Sequence, residues 1–238
     1  MEMKTKKITC KVSSKLHQWV KIRMKLACLQ RDLYLDIVLR HEAQMLDEEI
    51  SQPNSTRGRL HLKQSLQRID TTPVSLALSE ETVGLINDVC DRKLIPRDSF
   101  INRIFLFLLM HIVDFDKLLG IDIAKIYRRK LLRPWDIEFV DLGLPWVNEE
   151  PFWVIRQCIE YANRDDPGCT DLLHQAFIDE HFSKKIFKDE RLSLRGFNCF
   201  IDDSQIEETD EYLKSVDQLE KIFPLKKGSR SKGAGESK

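Results

Sequence analysis

The sequence predicts a mainly α chain in two parts. The front half holds two short strands and four helices, and the rear half is a mostly helical module. Three observations carry this. Period-two alternation of apolar and polar residues occurs at two places, residues 7–13 and 72–78. Each alternating stretch is followed by two helical patterns joined by a short turn. From Asp114 onward the patterns are helical, broken by loop-rich segments.

The first strand reads Lys7-Ile-Thr-Cys-Lys-Val-Ser, with Ile8, Cys10 and Val12 on one face and Lys7, Thr9 and Lys11 on the other. The helix after it carries Leu16, Trp19, Val20, Met24, Ala27 and Cys28 at helical spacing. The turn Leu29-Gln-Arg-Asp leads into a second helix over residues 33–49. Residues 51–70 are expected to be a linker, because Ser51-Gln-Pro-Asn-Ser-Thr-Arg-Gly has the composition of a flexible loop. The second strand places Val74, Leu76 and Leu78 opposite Pro73, Ser75 and Ala77. Ser79 followed by Glu80 and Glu81 is a helix start, a hydroxyl cap with acids in the first turn. Thr82, Leu85, Ile86, Val89 and Cys90 mark that helix, and Ile95-Pro-Arg-Asp turns the chain into the next, residues 99–113. This last helix is apolar nearly all round, which predicts burial on several sides.

The two strand–helix–turn–helix stretches lie in register at an offset of 66 residues without gaps. Ile8 meets Val74, Cys10 meets Leu76, Val12 meets Leu78 and Ser13 meets Ser79. Arg31-Asp32 meets Arg97-Asp98, and Tyr34 meets Phe100. Such self-similarity points to an internal duplication, against the simpler account that amphipathic helices often superpose.

Val74-Ser-Leu-Ala-Leu-Ser-Glu-Glu and Ile95-Pro-Arg-Asp-Ser-Phe-Ile-Asn-Arg, with a weaker copy from Lys7, resemble the ribbon-helix-helix family of DNA-binding proteins. The resemblance covers residues 5–48 and 71–113. It implies a tandem ribbon-helix-helix pseudo-dimer: a two-stranded antiparallel ribbon plus four helices, within one chain, the ribbon entering the DNA major groove. The units are then 1–50 and 71–113, with a C-terminal domain over 114–225 and a basic, disordered tail over 226–238.

The residues between the apolar ones would face DNA. These are Lys7, Thr9 and Lys11 on the first strand, and Pro73, Ser75 and Ala77 on the second. Lysines donate to guanine or phosphate, hydroxyls bond base edges, and alanine packs on a thymine methyl. The unequal lists imply an asymmetric site. At the turns, Arg31 and Arg97, with Ser99 adding a hydroxyl, are candidates to hold phosphate beside a helix N-terminus. Asp32 and Asp98 compete there as caps. The alternative for the ribbon is an exposed hairpin with solvated lysines.

Charge supports a polyanion partner in front. The formal net charge is zero, yet residues 1–31 hold nine Lys or Arg against Glu2 alone. Residues 1–113 have 18 basic and 13 acidic side chains; the remainder have 20 and 25. Six cysteines without tight spacing, and a Lys-rich start with no apolar core, predict reduced thiols and a cytoplasmic, nucleoid-associated protein. The apolar run ending at Val113 is too short for a bilayer, so no membrane is expected.

In the rear half, helices are expected over 118–132, 150–161, 170–187 and 210–223, with a short extended piece over 192–201. Trp135, Trp146, Phe152 and Trp153 cluster in sequence as core or as a partner surface. Cys158, Cys169, His174 and His181 are weak metal candidates, because they lack the paired spacing of zinc sites. No cofactor is expected. No phosphate loop, Gly-x-Ser-x-Gly or His-Glu-x-x-His occurs, and Asp165-Asp166 and Asp202-Asp203 have turn contexts, so catalysis is not expected. The expected partner is double-stranded DNA, with a protein partner or self-association through the rear module. The function read from these features is transcriptional repression or service as a mobile-element accessory factor. The alternatives are a protein–protein interaction module and a nucleic-acid-processing subunit.

Overall fold

Pairing of the two alternating stretches organises the front half. The computed structural model describes residues 4–126, 150–179, 182 and 194–206. The chain order is β1 (Thr5–Ser13), α1 (Ser14–Leu26), α2 (Arg31–Glu49), α3 (Thr56–Gln67), β2 (Thr71–Ser79), α4 (Glu80–Arg92), α5 (Arg97–Phe107), α6 (Ile112–Leu119), α7 (Ile123–Ile126), α8 (Trp153–Asp165) and a 3-10 turn at Arg195–Phe197. The fold is mainly helical with a two-stranded antiparallel sheet of β1 and β2. Thr5 pairs with Ser79, Thr9 with Ser75 and Ser13 with Thr71. Ile8, Cys10, Val12, Val74, Leu76 and Leu78 all turn inward and are buried.

Local chemistry sets the helix ends. The Ser79 hydroxyl accepts from the Thr82 amide at 3.1 Å, the cap expected of it. Ser13 lacks such a cap; its amide donates to Asn102 Oδ1 at 2.8 Å instead. α1 and α4 finish alike. Cys28 and Leu94 take left-handed backbone, with φ of 56° and 54°. The next amides then reach back, Leu29 to the Met24 carbonyl at 2.9 Å and Ile95 to Cys90 at 2.8 Å. The bounds of β1 and β2, of α1 and α4, and the starts of α2 and α5 all lie 66 residues apart.

α5 is the centre of the core, with every residue from Ser99 to Phe107 buried. This burial includes Arg103. Its guanidinium donates to the carbonyls of Leu173 at 2.7 Å and Ala176 at 2.6 Å, and lies 4.7 Å over the Phe107 ring. A second polar tie joins α2 to the rear half. Arg156 of α8 forms a bidentate pair with Glu42 at 3.0 and 2.7 Å and also meets Glu49 at 2.8 Å. His174 Nε2 lies 3.0 Å from the same Glu42. One apolar cluster accordingly runs from Ile8 to Cys199 and crosses the boundary expected at residue 113. By compactness the chain divides into Met1–Asp202 and Asp203–Lys238.

Several expectations need correction. The connector over 51–70 is not a bare loop: it contains α3, which buries Leu62 and Leu66. The helix expected over 99–113 divides into α5 and α6, and α6 begins where the His111 amide donates to Asp114 at 3.1 Å. The helix expected over 118–132 breaks after Leu119, at Gly120 in left-handed backbone (φ 67°). Residues 170–179 form turns and irregular chain rather than a helix, and the 192–201 stretch contains the 3-10 turn. The helix expected over 210–223, the tail, Trp135 and Trp146 lie outside the described residues. No helix among the described residues is long and apolar enough to cross a membrane.

Candidate nucleic-acid interface

Alternation along an antiparallel pair gathers the polar residues of both strands on one face. Lys7 lies across from Ala77, Thr9 from Ser75 and Lys11 from Pro73. Lys7, Thr9, Lys11, Pro73 and Ser75 are exposed, and Ala77 is half-buried. The face is chemically one-sided: its lysines stand on β1, while β2 presents a proline, a hydroxyl and a methyl.

The ribbon is held along both outer edges by the first turns of α2 and α5. Beside β2, Arg31 donates to the Ser75 carbonyl at 2.9 Å, Asp32 accepts from the Ala77 amide at 3.2 Å, and Asp36 accepts from the Ser79 amide at 2.7 Å. Beside β1, Arg97 donates to the Thr9 carbonyl at 2.8 Å. Asn102 donates to the Lys11 carbonyl at 2.7 Å and accepts from Ser13. Arg31 and Arg97, and likewise Asp36 and Asn102, stand 66 residues apart. Because Thr9 and Ser75 are opposite each other, the two guanidiniums flank the middle of the ribbon from its two sides.

Arg31 and Arg97 therefore brace strand carbonyls, each side chain about one-third exposed (34%). Asp32 is no simple cap: it pairs with Arg31 at 2.6 Å while binding the strand. Ser99 does not join the interface, because it is fully buried in α5 and its hydroxyl is enclosed by the core. Asp36 and Asn102 are strand-holding residues that the sequence reading passed over. Extending the 66-residue register along the second helices pairs them, which is the signal that finds them. Beneath the ribbon, burial pushes the Cys10 thiol up to about 12, with Asp98 adding to the shift. That thiol is packing rather than a reactive group.

The weak metal candidates do not come together among the described residues. Cys158 is buried and points to the Ile123 carbonyl at 3.9 Å. Cys169 is exposed and lies 3.5 Å from Asn163 Oδ1. His174 is committed to Glu42, and His181 lies outside the described residues. No protein-family model, curated protein or solved structure matches the chain.

Proposed function

We propose that the chain is a sequence-specific double-stranded DNA-binding protein, a repressor or mobile-element accessory factor. In this reading its front half is a tandem ribbon-helix-helix pseudo-dimer that arose by internal duplication. The observation that carries the reading is the exposed face formed by Lys7, Thr9, Lys11, Ser75 and Ala77 on one antiparallel pair. A two-stranded ribbon is narrow enough for the B-DNA major groove, about 12 Å wide. The 66-residue recurrence of elements, and of the arginines bracing each strand, supports the duplication. The excess of basic residues in the first 31 positions supports a polyanion partner.

The two half-faces differ, so the site is asymmetric. β1 supplies charge and hydrogen-bond donors, while β2 supplies shape and methyl contact. With about five phosphate contacts, the log–log salt slope is expected near −4.5. Replacing Lys7 and Lys11 by Ala should reduce its magnitude by about 2. Fluorescence-anisotropy titration of genomic duplex fragments at several salt concentrations measures both. No duplex binding at low salt rejects the reading, and binding unaffected by the double replacement removes the ribbon as the contact surface.

A further inference from the structure

α2 and α5 begin at corresponding positions, yet α2 has 19 residues and α5 has 11. The difference leaves one half of the front unit uncovered. The C-terminal half of α2 lies along α4, where Asp47 meets Arg92 at 2.6 Å and Lys93 at 3.2 Å. On the other side α5 stops at Phe107, and a new helix starts at Ile112. The corresponding face of α1 is bare. Trp19 is 41% exposed, Ile22 49% and Leu26 80%, and Leu26 holds the position 66 residues before Arg92. Trp19, Ile22, Leu106, Leu109 and Met110 line a trough of about 430 Å³, with Arg23, His111 and one acid, Asp114, on its wall.

We propose that this trough is the docking site for an acidic amphipathic helix of another protein. The internal template is α2 itself, whose second half takes the equivalent place on α4 and there meets Arg92 and Lys93 through Asp47, while Glu42 and Glu49 turn to Arg156. Charge selects the occupant. α1 contains Lys15, Lys21, Arg23 and Lys25 and no acid. Among the described residues Arg23 donates to a carbonyl, that of Leu108 at 3.3 Å, and meets no carboxylate. A second copy would bring a second α1 with the same four cations against the first, whereas an acidic helix neutralises them. Three bulky apolar side chains on the exposed face suit the apolar stripe of a helix laid in a groove.

The test uses the full chain and a dye-labelled peptide of residues 36–50, the second part of the internal template. Saturable anisotropy binding is expected. Ile22→Glu, and separately Leu26→Glu, should each weaken it about tenfold or more. Both positions are exposed, and a thermal melt checks that each variant remains folded. A peptide with Lys at 42, 47, 48 and 49 should not saturate over the same range. Absence of saturable binding, equal binding by the lysine peptide, or indifference to both variants overturns the proposal. So does a concentration-dependent dimer in sedimentation that Ile22→Glu abolishes, which assigns the trough to a second copy.

Discussion

Leu94 and Cys28 occupy backbone that non-glycine residues seldom adopt, and they do so at corresponding helix ends. Left-handed geometry costs an L residue about 1 kcal/mol, which the two reaching-back amides offset. Cys28 is exposed, so little packing is lost on its removal. Cys28→Gly should raise stability by about 0.5–1 kcal/mol, measured by urea unfolding. Glu42 behaves in the opposite sense. Burial raises its pKa, but hydrogen bonds from His174, His41 and Arg156 outweigh that and hold the carboxyl well below the usual range. A depressed folded pKa stabilises above the unfolded value of about 4.3, and that stabilisation is lost as pH falls through the folded pKa. Glu42→Gln should cost about 3 kcal/mol at pH 7, with the gap from wild type narrowing in acid. A gap constant from pH 7 to pH 3 would show that the charge is not the source. Neither Glu42 nor Arg103 was legible as a buried group. Apart from His41, their partners, at residues 156–198, are far along the chain, and a charged residue in a helical pattern reads by default as a solvated one.

At the scale of elements, the strands were legible because alternation reports a half-buried sheet directly. So was the cap at Ser79, whose signal is local. α3 was missed because the Pro and Gly around it suggested a loop. Yet Leu62 and Leu66 stand one turn apart, and Ser55 caps the helix by accepting from Gly58 at 2.8 Å. α3 also presses on the 3-10 turn. A Cβ on Gly196 would fall 2.5 Å from the Leu66 amide nitrogen and 2.6 Å from its Cα. These are backbone atoms, so no side-chain rotation relieves the clash. Gly196→Ala should destabilise by about 2–3 kcal/mol, read from chemical denaturation, whereas Gly84→Ala meets open space and should lack this penalty. The ribbon's bracing was half legible: Arg31 and Arg97 were picked out, but for phosphate, because the sequence carries no sign of which carbonyls a guanidinium will reach.

For the molecule as a whole, the tie between front and rear decides what can be separated. The two terminal nitrogens of Arg103 are held by carbonyls of residues 173, 176 and 197, and Phe107 packs on Phe152 with ring centroids 5.7 Å apart. A chain ending at residue 113 loses these partners, leaving a cation in an apolar helix. Such a truncated chain should show helical far-ultraviolet circular dichroism, weak near-ultraviolet signal and strong ANS binding. A sharp cooperative melt for residues 1–113 would contradict that expectation. The expected boundary there follows from where the 66-residue recurrence ends, and a pattern's end need not be a core's end.

A two-stranded sheet has two open margins, each an invitation to a further strand. Here Arg31, Asp32 and Asp36 occupy one, and Arg97 and Asn102 the other, meeting outward carbonyls and amides as a neighbouring chain would. The helices thus act as terminators. The ribbon can present its polar face at high local concentration without growing sideways into β-aggregates, a safeguard made entirely from side chains.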